Sequence, residues 1–344
     1  MYLPFIMLRL WGWPGFLAFM VPNVLGCAAF GFVLDRHRSR ALAARLGWMA
    51  ALFSAVTVAY QCWFAGWASA TFLASGNDLG TVFATGAPMA LLVLGIGFAL
   101  RGDAFWRTAG TVVTLASPLV LFLPSAATGP ELPDAAHAAL PLPPLTLAFA
   151  LPTVVAGFLA SPFLDLTFHR AVQQAPKPRV AFATFGIAFM GMLLMVASFH
   201  DPARGLPRAG TALFTLWAVQ LAFTTSVHLR ELLVAPAGIR IPPTVAGALI
   251  AGAVLLATPA FTFGTDPRLL AGEPTYLGIL GAYGLLFPVL LLMEPRGASR
   301  TLVGLTLAGG AACYLLGAWE FSTYLMPVPV LAAVAWARAQ RRTA

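Results

Sequence analysis

The stretch 152–179, PTVVAGFLASPFLDLTFHRAVQQAPKPR, concentrates residues able to do chemistry inside an apolar chain. Pro162 lacks a backbone donor and frees a carbonyl one turn earlier. An interrupted helix is tolerated at membrane depth only where it faces protein or a watery cavity. Asp165 follows the proline, and a carboxylate is costly in hydrocarbon, which makes it a candidate functional residue. Two readings stay open. In the first, the run 141–164 loses regular helical bonding between Gly157 and Pro162. Freed carbonyls and the Ser161 hydroxyl then face a cavity, with Asp165 at its mouth. In the second, the helix is unbroken and Asp165 caps the amphipathic segment 166–174 or pairs with Arg170.

Gln61 is the other polar residue expected at depth. It follows Tyr60 midway along an apolar run and is flanked by Trp63 and Trp67. A carboxamide away from water must hydrogen-bond something, either a solute or a neighbouring helix. His169 and His228 fall at corresponding ends of two runs, each near an arginine. They are read as hydrated, with a haem or quinone pocket between them as an alternative. Cys27, Cys62 and Cys313 stand apart inside apolar runs without metal-ligand spacing. No phosphate-cradling loop, zincin helix or nucleophile elbow is present, so no enzymatic activity and no bound cofactor are expected.

These residues are carried by elements made for lipid. Of the 344 residues, 60% are hydrophobic and 9% charged, against roughly 25% charged in soluble domains. Eleven apolar runs are long enough to span: 14–34, 47–73, 79–100, 107–126, 141–164, 178–199, 210–229, 241–261, 275–293, 299–318 and 322–337. The chain therefore reads as an all-α integral membrane protein with the bilayer as its main partner. The net charge of +8 has no basic patch with interleaved aromatics, so no nucleic-acid partner is expected. Instead the basic residues alternate between connections. One set of loops holds Arg36, Arg38, Arg40, Arg45, Arg101, Arg107, Arg170, Lys177, Arg179, Arg230, Arg240, Arg296, Arg300, Arg338, Arg341 and Arg342; the other holds Arg204, Arg208 and Arg268. The rich set is the cytoplasmic one, which places the C-terminus inside a multi-pass inner-membrane protein. Nineteen of its twenty basic residues are Arg, as expected of a GC-rich bacterial genome. Impermeant labelling of whole cells should accordingly reach a cysteine at Ala136 and miss one at Ser299; the reverse pattern inverts the orientation.

Residues 2–12 (YLPFIMLRLWG) are apolar but too short to cross, and Trp13-Pro14-Gly15 predicts a break before the first full run. No basic n-region or small-residue cleavage site marks them as a signal peptide. They read as the outer half of a helix whose inner half is missing. The polar connection 127–140 then divides the single polytopic domain 1–344 into a first repeat over 1–126, incomplete at its start, and a second over 141–293. The runs within 299–337 are additional. Five helices per repeat would turn the second upside-down relative to the first.

The run Pro162-Phe-Leu-Asp165-Leu-Thr-Phe-His169-Arg170-Ala171 resembles the sixth core helix of the sodium:solute symporters, where a Gln-Pro-His or Asp-containing stretch precedes an Arg and an Ala. The opening LPFIMLRLWGWPGFLAFMVPNVLG resembles the passage from that family's first core helix into its second, and the arginine-rich loop 35–45 matches a cytoplasmic connection. The resemblance implies a leucine-transporter-type inverted repeat and a sodium site of hydroxyls on the eighth core helix. Thr224, Thr225 and Ser226 resemble that cluster, although the Asp-Ser that usually follows it is absent. Adjacent hydroxyls also bond readily to their own helix carbonyls. The function implied is uptake of a small polar solute coupled to sodium or protons, with Gln61, Ser161 and Asp165 at the solute and Thr224–Ser226 at the cation. A non-transporting anchor or sensor with a protein partner, and a quinone- or haem-binding anchor, are the alternatives.

Overall fold

Glycine and proline decide where the apolar runs become helices. The computed structural model describes residues 2–73, 79–128, 142–201, 206–207, 211–234, 240–257, 272–319 and 323–343. α1 (Leu3–Val33) is bent at Gly12, whose φ of 59° and ψ of −148° lie where only glycine sits without strain. The short helix 3–11 and the longer 13–33 are thereby separated at the expected place. α2 (Arg36–Ala68) breaks likewise at Gly47, with φ 45°, and continues into a π turn, Ser69–Leu73. The arginine-rich stretch expected as a loop over 35–45 is helical. Asp35 accepts from the Arg38 backbone N–H at 2.8 Å and starts the helix, as short acids do at helix N-termini.

α3 (Gly80–Ala99), α4 (Asp103–Thr128), α5 (Pro144–Leu164), α6 (Leu166–Gln174) and α7 (Pro178–Ala197) follow. A two-residue antiparallel pair, β1 (His200–Asp201) with β2 (Leu206–Pro207), precedes α8 (Thr211–Val234) and α9 (Pro243–Leu256). α10 (Glu273–Gly281), a π segment (Ala282–Leu286) and α11 (Phe287–Met293) form one composite run. α12 (Arg300–Trp319) and α13 (Val328–Thr343) close the chain.

Among the described residues, nine helical runs are long and apolar enough to cross a membrane. Two of the eleven expected runs fall short of that standard. α9 has 14 residues, about 21 Å of rise against a hydrocarbon core of about 30 Å. α13 carries Arg338, Arg341 and Arg342 within its own length. Large apolar side chains such as Val93, Leu145, Ile187 and Leu305 cover the outside of the bundle, a surface suited to lipid and costly in water. The connection 127–140 and the residues Arg204, Arg208 and Arg268 of the basic-poor loops lie wholly or mainly outside the described residues.

Inside, α1 packs on α5 and α7, α2 on α9 and on α8, and α3 on α8. Close approach between helix backbones accounts for one feature of α5. The carbonyl that Pro162 leaves without its helical donor is that of Phe158, four residues earlier. It faces α1 so closely that a Cβ on Gly26 would lie 2.6 Å from it. α5 therefore keeps helical geometry through Leu164. The interruption expected between Gly157 and Pro162 is not found; the chain leaves the helix at Asp165 instead.

Candidate functional site

The irregular span is α10–α11. Pro288 cannot donate to the carbonyl of Gly284, and the preceding turn widens into the π segment Ala282–Leu286. Opposite it stands Gly157 of α5, where a Cβ would meet the Tyr283 carbonyl at 2.9 Å. Between these elements, the short helix 3–11, α2 and α8 lies a cavity of about 410 Å³.

Its wall is mostly aliphatic and aromatic, with no Asp, Glu, Lys, Arg or His among the described residues that border it. Gln61 borders it from α2, and its carboxamide oxygen accepts from the Thr225 hydroxyl at 2.6 Å. Thr57, one turn toward the start of α2, donates to the Phe53 carbonyl at 2.8 Å. Its single proton is then used, so the Tyr283 hydroxyl 2.9 Å away is the donor in their mutual bond. Thr153 borders the cavity from α5 and donates to the Met326 carbonyl at 2.8 Å. Most polar groups of the wall are thus already tied to protein, and Gln61 and Asn23 bring carboxamides to it.

The six residues singled out from the sequence are divided by the structure. Gln61 and Thr224 border the cavity. The three hydroxyls of α8 diverge: Thr224 donates to the Gln220 carbonyl at 2.7 Å, Thr225 to Gln61, and Ser226 to the Ala222 carbonyl at 2.5 Å. Ser161 donates to the Gly157 carbonyl at 2.7 Å, one turn beyond the cavity wall. Asp165 lies further still, at the end of the bundle that carries the arginines of α2. There it starts α6, accepting at Oδ1 from the Thr167 backbone N–H at 2.8 Å and the Thr167 hydroxyl at 2.6 Å.

Around Asp165 the basic end is more ordered than expected. Arg170 grips Glu231 of α8 through Nε and Nη2, the second bond at 2.8 Å. Arg230 pairs with Asp103 at the start of α4. His169 and His228, read from the sequence as hydrated, are both buried. His169 meets the Ser39 hydroxyl at 2.9 Å and the Phe163 carbonyl at 3.0 Å. His228 Nδ1 lies 3.2 Å from the Ser54 hydroxyl and its Nε2 is 3.8 Å from Asp165.

Burial holds the His169 pKa below its usual value, opposed by the bond to the Phe163 carbonyl. A depressed histidine contributes stability that is fully present above the unfolded value of 6.5 and is lost as pH falls from there through the folded value. Thermal unfolding should therefore show a stability loss below about pH 6.5 that His169→Gln reduces. Identical pH profiles for the two proteins would show that His169 is protonated freely in the fold.

At the opposite end of the cavity the structure holds a pair that the sequence reading did not make. Arg9, on the short helix 3–11, meets Glu273, the first residue of α10, at 2.5 Å, with side chains 3% and 0% exposed. The Tyr2 hydroxyl donates to the same carboxylate at 2.6 Å, and its ring sits against Trp67 and Tyr276, with centroids 4.9 and 5.6 Å away. The signal that points to Glu273 is Arg9: a guanidinium within an apolar half-helix needs a partner.

Comparison with family models, curated proteins and solved structures returns no match for this chain. Among the described residues no cluster of His, Cys, Asp or Glu is arranged to hold a metal ion.

Proposed function

We propose that the chain is a transporter-like protein of the bacterial inner membrane that takes a small, uncharged polar solute into the cavity beside Gln61. The observation that carries this reading is the cavity itself, set between two interrupted helices: α1, bent at Gly12, and the run with the π segment Ala282–Leu286. Irregular backbone at membrane depth belongs where a site is lined. A wall without charged side chains favours a solute without net charge, since an unpaired charge is costly to desolvate.

Helix pairing supports the inverted repeat. If the helix 3–11 corresponds to α5, then 13–33 corresponds to α7, α2 to α8, and α3 to α9. Exchanging the halves turns the contact of α2 with α9 into that of α8 with α3, and both are extensive. It likewise turns the packing of 13–33 on α5 into that of α7 on 3–11. Gly26 against Phe158, and Met7 and Leu8 clustered with Leu193 and Ala197, represent these two contacts. In this layout α9 and α13 complete eleven crossings, and the basic end with the C-terminus is cytoplasmic. The Arg9–Glu273–Tyr2 group then closes the outer side.

A second reading, a solute-binding sensor that does not transport, is favoured by the divergence of the Thr224, Thr225 and Ser226 hydroxyls, which leaves no ready cation cage. One experiment addresses both. Purified protein is screened for thermal stabilisation by small neutral solutes, and hits are assayed for uptake into proteoliposomes. Val154→Trp, which fills the cavity, should abolish stabilisation. Gln61→Leu should weaken it about tenfold, the worth of one hydrogen bond. Binding without uptake selects the sensor. Binding indifferent to Val154→Trp removes the cavity as the site.

A further inference from the structure

We infer that the ion coupled to this cavity is a proton, held by the buried pair His228–Asp165; the inference rests on the solute-cavity reading above. The alternative seat for a coupling ion is the α8 hydroxyl cluster, and its three oxygens face three different partners. By contrast, His228 and Asp165 are an imidazole and a carboxylate brought together from α8 and the α5–α6 junction. Their side chains are 2% and 12% exposed.

Their position relative to the cavity makes them a coupling site. Ser54, which contacts His228 Nδ1, lies one turn along α2 from Thr57, the partner of Tyr283 on the cavity wall. The Phe53 ring lies between, 6.1 Å from the His228 ring and 5.5 Å from that of Tyr283. A charge change on the pair is therefore felt at the cavity floor through a single layer of side chains.

The proton balance is simple. A proton arriving from the basic end takes the free lone pair of the neutral imidazole, and no other bond breaks. The imidazolium then has one N–H toward Ser54 and one toward Asp165. At 3.8 Å the Nε2–Oδ2 separation is long for a hydrogen bond but within ion-pair reach. Protonation turns this neighbour contact into an attraction that draws α8 onto the α5–α6 junction and narrows the way into the cavity. Loss of the proton relaxes it. Other charges around the pair are already matched: Arg170 with Glu231, and Arg230 with Asp103. His169 is held by Ser39 and Phe163. α3 and α9 contribute no titratable side chain along their lengths.

The test uses the full chain in lipid bilayers with 15N-labelled histidine. The imidazole signal absent from both His228→Asn and His228→Gln should convert from neutral to imidazolium on acidification. Asp165→Asn should cost this site about tenfold in proton affinity, the loss of one nearby opposite charge. A His228 signal that stays neutral to pH 5, or that Asp165→Asn leaves unmoved, overturns the proton site. Coupling is read separately. A cysteine at Leu280 or Leu277, with Cys27, Cys62 and Cys313 replaced, is alkylated from the basic end by an impermeant reagent, and the rate is normalised to a cysteine at Ser299. The normalised rate should fall about fivefold or more from pH 8 to 5.5, and His228→Asn should flatten it. Equal profiles with and without His228 overturn the inference while leaving the cavity. Reaction at neither position at any pH overturns the cavity reading and the inference with it.

Discussion

Glu273→Ala is expected to lower stability by about 3–5 kcal/mol, the cost of removing one partner of a buried ion pair. Arg9 would keep its charge at a site where its side chain is 3% exposed, and the Tyr2 hydroxyl would lose its acceptor within a closed aromatic box. The loss is not a measure of what the pair adds over an apolar contact, because a buried ion pair often only breaks even against well-packed hydrophobes. The double variant Arg9→Met with Glu273→Leu should therefore recover most of the stability lost by the single one. Unfolding in detergent micelles, followed by circular dichroism, gives both numbers. A cost below about 1 kcal/mol for Glu273→Ala, the range of exposed pairs, would mean that water reaches the carboxylate. In the transport reading this group also fastens the short helix 3–11 to α10, so the double variant keeps the fold while loosening the outer closure.

Periodicity and punctuation carried much of the fold. The break at Gly12, the start of a span at Gly47 and the amphipathic helix 166–174 all follow from local rules about glycine, proline and caps, and all are present. That Gln61 needs a hydrogen-bond partner was legible, because a carboxamide away from water must bond something; the structure supplies Thr225 of α8 and places Gln61 at the cavity wall as well. What could not be read was the partner of each proline. Pro162 and Pro288 leave the same chemical lesion, a carbonyl without its donor. At Pro162 a glycine on α1 lets the neighbouring backbone close over it, and the helix continues. At Pro288 the span opens into a π segment beside a cavity. The difference lies on another helix, 136 positions away in the first case, as the numbers of Gly26 and Pro162 give it. Pairings such as Arg9 with Glu273, Arg170 with Glu231 and His228 with Asp165 are equally non-local. Sequence reading placed His169 and His228 at hydrated ends of spans, whereas the groups that bury them come from other elements. The Thr224–Ser226 cluster looked like one site because its members are adjacent. On a helix, adjacent residues point about 100° apart, which is how the three hydroxyls come to serve three partners.

Trp63→Ala should cost about 3–5 kcal/mol, the range for removing a large buried aromatic. The side chain is fully buried. It lies nearly parallel to Trp67, with ring centroids 5.3 Å apart, and is 5.9 Å from Tyr276, so its removal opens the box that also holds Tyr2. It has a second role that volume alone does not describe. The indole N–H donates to the Leu256 carbonyl at 3.2 Å, and Leu256 is the last residue of α9. The final carbonyls of a helix have no partner within it, and α9 is too short to carry them to the membrane surface by length alone. Trp63 thus satisfies the end of α9 from inside the protein. Trp63→Phe separates the two contributions: most of the packing stays and the hydrogen bond goes, at about 1 kcal/mol. Hydrogen exchange should then show faster opening at the C-terminal end of α9 in Trp63→Phe, with α2 itself unchanged. Equal exchange in the two proteins would assign the whole effect of Trp63→Ala to packing, and would leave the end of α9 held by something other than this indole.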